Sequence, residues 1–259
     1  MDAQMKDLLK NFPPISLSEM QGVKLMNRVD TKYLVARVQL PAILKRLESD
    51  YFVQTSEEGV PYSHYQTLYY DTPQQTMYHV HHAGKLHRQK LRARIYCDTQ
   101  DVFCEVKTKN NKKRTKKKRI PIPMECYGNM LEDPDIRDFV SQKLEYDVCQ
   151  LVPQLENNFD RITLVNRDKT ERLTIDSHLC FYNRYTGESA EIPHLVIIEL
   201  KQDGNYPSFF KQVLADMRIH PHRISKYCLG TMLTNSSVKR NRFKKKMRRI
   251  AKLAQLKEA

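Results

Sequence analysis

The sequence predicts an α+β fold organised around one largely antiparallel sheet. Strand-like stretches outnumber helical ones and do not alternate with them one for one, as a doubly wound parallel sheet would require. Three of them, Gln89–Asp98, Val102–Lys109 and Thr115–Ile122, follow each other through short connectors, the simplest being a meander. The 259 residues include only seven Gly, with no GxGxxG and no GxxxxGK[ST], which disfavours the glycine-cradled nucleotide folds. Many consecutive antiparallel strands can close into a barrel, which removes exposed edges.

The elements follow in order. Residues 1–25 read as a helical, Pro-containing segment. Thr31–Arg37 reads as a strand. Pro41–Ser49 reads as a helix, with Pro at its start and Ile43, Leu44 and Leu47 at helical spacing. Tyr65–Asp71, rich in Tyr and Thr, predicts a strand. Thr72-Pro73 opens a helix through His82, with Thr72 as cap, and Ala83-Gly84 breaks it. After the meander, with a turn-like cluster at residues 110–113, Pro134–Cys149 predicts a helix. Arg161–Asn166 and Arg172–Asp176 flank a turn at residues 167–169 and predict a hairpin. Leu179–Asn183 and His194–Lys201 add two strands, and Tyr206–Met217 and Ile224–Asn235 two helices. The division expected is a body over residues 1–235 and a basic helix or tail over 236–259.

The net charge is +14, but it is unevenly placed. From Lys85 to Arg119 there are 14 basic residues against three acids, and from Lys239 to Lys252 nine against none, leaving −6 on the rest. An acidic body with a basic internal stretch and a basic tail implies a polyanionic partner, and argues against handling cations or neutral sugars. The six Cys form no CxxC pair and no zinc-finger spacing, so free thiols in a reducing cytoplasm are expected. No secretory signal and no run of about 18 apolar residues is visible, so a soluble cytoplasmic protein is expected.

Strand alternation sorts the charges. Lys90, Arg92 and Arg94 share one face, opposite Leu91, Ala93 and Ile95; Glu105 and Lys107 share another, opposite Cys104 and Val106; Lys117 and Arg119 share a third. Solvated outer faces are the bland explanation. Yet these faces repeat Arg and Lys from strand to strand, and like charges on adjacent strands repel unless an anion fills the space. On the inside of a barrel they would form a pocket for a chain of phosphates, each charge-assisted hydrogen bond contributing about 1.5–3 kcal/mol.

These residues resemble, in order from Asn27 to Gly230, the catalytic domain of the vacuolar transporter chaperone family. Its members are the polyphosphate polymerases among the triphosphate tunnel metalloenzymes. The similar stretches are Asn27–Tyr33, Leu68–Thr72, Leu91–Tyr96 (an RxRxY strand), Glu105–Thr108 (ExKT) and Lys117–Pro121. Arg161, Arg172–Asp176, Glu199–Lys201 and Ser225–Tyr227 fall where the remaining motifs belong. The resemblance implies a closed antiparallel barrel of about eight strands with flanking helices. Its basic lumen would bind the triphosphate of ATP and transfer the γ-phosphate to a growing inorganic polyphosphate chain.

The implied catalytic set is Lys32, Arg92, Arg94, Lys107, Arg161 and Arg172. The implied phosphate-binding set is Arg28, His81, Lys117, Arg119, Lys201, Arg223 and Lys226. Glu199, with Glu105, would hold a divalent metal, Mn²⁺ or Mg²⁺. Hydrolase branches open with ExExK, where this chain has Arg28, Asp30 and Lys32; loss of the first acid favours phosphate over water as acceptor. An inorganic triphosphatase in the same fold is the alternative, and a nucleic-acid-binding module using the basic stretch and tail is a third reading. No helix-turn-helix, RNA-recognition or zinc-finger signature supports the latter, so no specific nucleic acid is expected. In the tail, Phe243, Met247, Ile250, Leu253 and Ala254 fall at helical spacing, making a basic amphipathic helix for an anionic membrane or polyphosphate.

Overall fold

A computed structural model describes residues 3–21, 28–112, 114–204 and 206–256; the side chains of Gln21 and Arg28 lie outside that description. Helices α1 (Ala3–Lys10) and α2 (Leu17–Gln21) bracket a short β1 (Pro14–Ile15). Then follow β2 (Arg28–Ala36), α3 (Leu40–Leu47), β3 (Tyr51–Gln54), β4 (Ser63–Asp71) and α4 (Thr76–His82). The meander is β5 (Arg88–Tyr96), β6 (Asp101–Lys109) and β7 (Thr115–Pro121), followed by α5 (Pro134–Ser141). The long hairpin β8 (Val152–Asn166) and β9 (Glu171–Asn183) leads into β10 (Ser189–Ile192) and β11 (Leu195–Asp203). Helices α6 (Phe209–Asp216), α7 (Lys226–Thr234) and α8 (Lys244–Leu253) complete the described chain.

The main pairing path runs β2-β11-β9-β8-β4-β5-β6-β7, antiparallel throughout, with β10 added to β9 and β3 to β8; β1–β3 is a parallel pair. The α+β class and the eight-strand path are as expected. The closed barrel is corrected: among the described strands β2 and β7 do not pair, so the sheet is curled and open at both ends of the path. Lys107 on β6 nevertheless stands within electrostatic reach of Lys32 on β2 and Glu199 on β11, so curling brings the two ends of the path toward each other.

The apolar faces point outward under helices. Tyr33, Val35, Ile162, Leu164, Leu173, Ile175, Val196 and Ile198 pack with Leu9, Leu44 and Phe210 of α1, α3 and α6. Leu91, Ala93, Cys104 and Val106 pack with Ile136 and Val140 of α5. The alternating Lys/Arg face is therefore the inner one, a choice that alternation alone left open.

Several boundaries differ from expectation. Helix α4 starts at Thr76, with Gln75 in the left-handed region (φ 57°). The helix opens there because the Asp71 carboxylate accepts the N–H groups of Thr72, Met77 and Tyr78 at 2.7–2.9 Å. Helix α5 stops at Ser141, because Gln89 from β5 takes over the next backbone groups. Its Oε1 accepts from Glu145 N (2.8 Å) and its Nε2 donates to the Lys143 carbonyl (3.0 Å). Leu179–Asn183 is no separate strand but the continuation of β9 past a bulge, where His178 takes φ 50°. Strands β3 and β10, four residues each, carry too short a pattern to be read from sequence.

All six Cys are free. No helix among the described residues is long and apolar enough to cross a membrane. The apolar stripe of the tail is not free: Phe243, Ile250 and Leu253 are buried in one cluster with Leu34, Tyr69, Tyr78 and Met232.

Candidate functional site

On the concave face, cations converge from seven strands and α7, interleaved with three carboxylates. Their placement follows from strand register. Lys32 of β2 faces Glu199 of β11, and Lys201, two residues on, faces Arg172 of β9. Arg92 faces Glu105 across β5–β6, and Lys90 faces Lys107, which in turn faces Lys117 of β7. Arg161 faces Asp176 across β8–β9.

Each carboxylate bridges two cations. Glu199 pairs with Lys32 through Oε1 and with Lys201 at 3.2 Å through Oε2. Glu105, 1% exposed, takes Arg92 at 2.5 Å and Lys117 at 2.9 Å. Asp176 takes Arg161 through both oxygens (2.6 and 2.8 Å) and Lys226 at 2.7 Å. Burial alone would raise all three carboxyls. Arg92, Arg94 and Lys117 outweigh it at Glu105, Arg161 and Lys226 at Asp176, and Lys201 and Lys32 at Glu199, so all three are held below the usual carboxylate range. The protein thus supplies part of the counter-charge of its own inner face.

Among the described residues Arg94, Lys90 and Lys107 form no ion pair. Arg94 donates to Thr67 Oγ1 (3.1 Å) and lies near the Tyr65 and Phe159 rings. Lys107 lines the concavity, opposite Lys90 and Lys117. Desolvation first, then Arg92, Lys32 and Lys90, bring it down to about 8 against the pull of Glu199. Lys90 and Lys201 are likewise lowered to about 8, burial being the largest cause in both. Such shifts mark cations held together in a poorly hydrated space, the condition in which phosphate oxygens displace water favourably.

The implied catalytic residues Lys32, Arg92, Arg94, Lys107, Arg161 and Arg172 thus share the inner face, together with Lys117, Lys201 and Lys226. Arg119 lies at the rim, its guanidinium 4.3 Å from the Phe103 ring centroid. Arg223 is exposed beside Arg88 and Lys246. His81 lies under α8, and burial brings it to about 2, so it stays neutral. The expectation for the Arg28 side chain falls outside the described residues. Two contributors were missed. Asp176 stood inside a quoted motif without a role, and Lys90 shares the alternation of Arg92 and Arg94, which was signal enough to find it.

No group of three or more His, Cys, Asp or Glu suited to holding a metal occurs among the described residues. The donor set does not fit a metal held by protein alone. It fits one that arrives on phosphate oxygens and borrows one or two carboxylates, the usual habit of Mg²⁺.

A curled antiparallel sheet with a cation-lined concave face defines a protein with the charge to receive a polyanion. The VTC domain matches residues 27–235, and this chain belongs to that family. No curated protein matches in sequence. Solved structures with a similar course include a provisionally assigned adenylate cyclase from Vibrio parahaemolyticus (14% identity, 80% of this chain and 99% of that one, TM-score 0.45). A second, from Hippeastrum, is a provisional adenylyl cyclase described as having a dominant triphosphatase activity (15% identity, 80% and 96%, TM-score 0.48). A third is a conserved hypothetical protein from Pyrococcus furiosus (11% identity, 78% and 99%, TM-score 0.39).

Proposed function

We propose that this protein is an ATP-dependent polyphosphate polymerase, moving the γ-phosphate of ATP onto the end of an inorganic polyphosphate chain within its basic lumen. The observation that carries the proposal is the ring of cations around Glu105, Asp176 and Glu199 in a chain of the VTC-domain family. Phosphoryl transfer needs little covalent help from protein; positioning and charge stabilisation do most of the work. The bond from the γ-phosphorus to the β,γ-bridging oxygen breaks, a bond to a terminal oxygen of the acceptor chain forms, and ADP leaves.

Arg92, Arg94, Arg161 and Arg172 would grip non-bridging oxygens with planar donor forks, and Lys32, Lys107 and Lys201 would act as mobile point charges. Tyr69, in the hydrogen-bonding shell of Arg92, helps fix that guanidinium. Mn²⁺ or Mg²⁺ would be held by Glu199, with Glu105 as the second available carboxylate, and would neutralise charge between phosphates. Arg28, where hydrolase branches carry the first acid of ExExK, favours phosphate as the acceptor over water, while Asp30 keeps an acid at the second position.

The test is purified protein with ATP and Mn²⁺, assayed for long-chain polyphosphate and free phosphate. Polymer with stoichiometric ADP is expected; free phosphate without polymer makes the protein a triphosphatase instead. Glu199→Gln is expected to lower metal-dependent turnover at least about 100-fold with an unchanged circular dichroism spectrum. Full activity removes Glu199 from the site.

A further inference from the structure

Helix α8, which lies beyond the matched family domain, packs against β2 and lines a small cavity with α7 and α4. There Arg88 and Lys90 at the start of β5, Arg223 before α7 and Lys246 of α8 come together. Lys246 and Ser225 line one small cavity with His81 and Cys228, and Lys90 Nζ donates to Ser225 Oγ at 2.6 Å. That cavity is about 10 Å³, no more than one water, so a ligand must lie on its solvent side. Among the described residues none of Arg88, Lys90, Arg223 and Lys246 forms an ion pair. The charges acting on Lys246 are Arg88 and Arg223, with only the Cys228 thiol of opposite tendency. His222 stands beside the same group, facing Lys246 and Arg249.

We propose that this cluster is a second anion site at the mouth of the lumen, built by α8, that holds the stretch of a linear phosphate chain emerging from it. The inference rests on the polyphosphate reading above and extends it. Continuity argues for a chain. Arg88, Lys90, Arg92 and Arg94 alternate along one strand face, so their Cα atoms follow at about 7 Å per step, an unbroken cationic row from centre to mouth. Lys90 belongs to both ends, acting on Lys107 in the lumen and on His81 under α8. Shape argues against a membrane. The apolar stripe of α8 is buried, and Arg88, Lys90 and Lys246 are all only partly exposed, so a flat surface of headgroups reaches them poorly. The site is cationic along one line of a strand face, which suits an unbranched chain.

The experiment compares tripolyphosphate with long-chain polyphosphate as ligands of the full chain, for wild type and for Arg88→Gln/Lys246→Gln. Both positions lie outside the set assigned to transfer. The double variant is expected to lose about tenfold or more in affinity for the long chain, the equivalent of one charge-assisted contact, and less than about twofold for tripolyphosphate. Lys246→Arg should retain wild-type affinity. Should the double variant unfold, Lys246→Met, which keeps the apolar stem, reads the same difference. Equal losses for both ligands, or no loss for either, overturns the proposal. So does a loss confined to single-stranded DNA or to phosphatidylserine vesicles. Wild-type protein that prefers the long chain but makes none of it refutes the polymerase and leaves the mouth standing. Polymer synthesis with no preference for the long chain does the reverse.

Discussion

At the centre of the lumen, Glu105, Asp176 and Glu199 each sit between two cations, and the pairs are mostly closed to bulk water. At the mouth under α8, Arg88, Lys90, Arg223 and Lys246 stand together without a carboxylate among their ion-pair partners. Both regions are rich in Lys and Arg, and they differ in what happens without ligand. The centre can be desolvated and still fold, because its charges are partly cancelled internally. At the mouth, Arg223 is exposed and Arg88 and Lys246 are partly exposed, so water screens their like charges, while Lys90, the most buried of the four, gives up part of its proton affinity instead. A buried cluster therefore needs acids as much as bases, while a surface cluster does not.

The largest effect that would break this contrast is at Asp176. Asp176→Asn strands Arg161 and Lys226, whose side chains are only 16% and 12% exposed, and should cost about 3–5 kcal/mol in thermal or urea unfolding. Saturating tripolyphosphate should restore much of the loss, since an anion can replace the missing carboxylate. A variant as stable as wild type would mean that the pairing is dispensable.

A second effect comes from pH. Lys90, Lys107 and Lys201 titrate near 8 in the folded chain, below the ordinary lysine value of about 10.4. Between these values the unfolded chain binds more protons, so stability of the ligand-free protein should rise with pH from 8 toward 10. Affinity for tripolyphosphate should fall over the same window as the lysines lose charge. The two trends run in opposite directions, and Lys107→Gln should flatten both; parallel trends would contradict the assignment. The smallest effect belongs to the mouth: Lys246→Gln should shift stability by no more than about 0.5 kcal/mol in either direction. A loss comparable to that of Asp176→Asn would erase the distinction between the regions.

Much of this arrangement was legible in the sequence. The period-two alternation at residues 90–94 and 105–107 set the charged faces, and the turn at residues 167–169 gave the β8–β9 hairpin. What alternation does not encode is curvature. Which face is concave depends on where α1, α3, α5 and α6 pack, and Lys107 meets Glu199 only because the sheet curls. The early end of α5 was hidden for a similar reason. Its backbone groups are taken by Gln89, 54 residues away in sequence for the Lys143 contact. The open path between β2 and β7 likewise depends on long-range geometry that no local pattern specifies.

Three carboxylates already seated among the lumen's cations also set how ligand binding should respond to dissolved salt. A bare cationic groove sheds bound ions when a polyanion enters, and its affinity falls steeply as salt is added. Here Glu105, Asp176 and Glu199 occupy the places that solution anions would otherwise take. A triphosphate bound as proposed would displace tethered acids that cannot diffuse away, and so would gain little from the entropy of ion release. The paired part of the lumen is thereby expected to be comparatively indifferent to ionic strength, leaving salt sensitivity to cations such as Lys107, Lys90 and Lys246 that no carboxylate covers among the described residues.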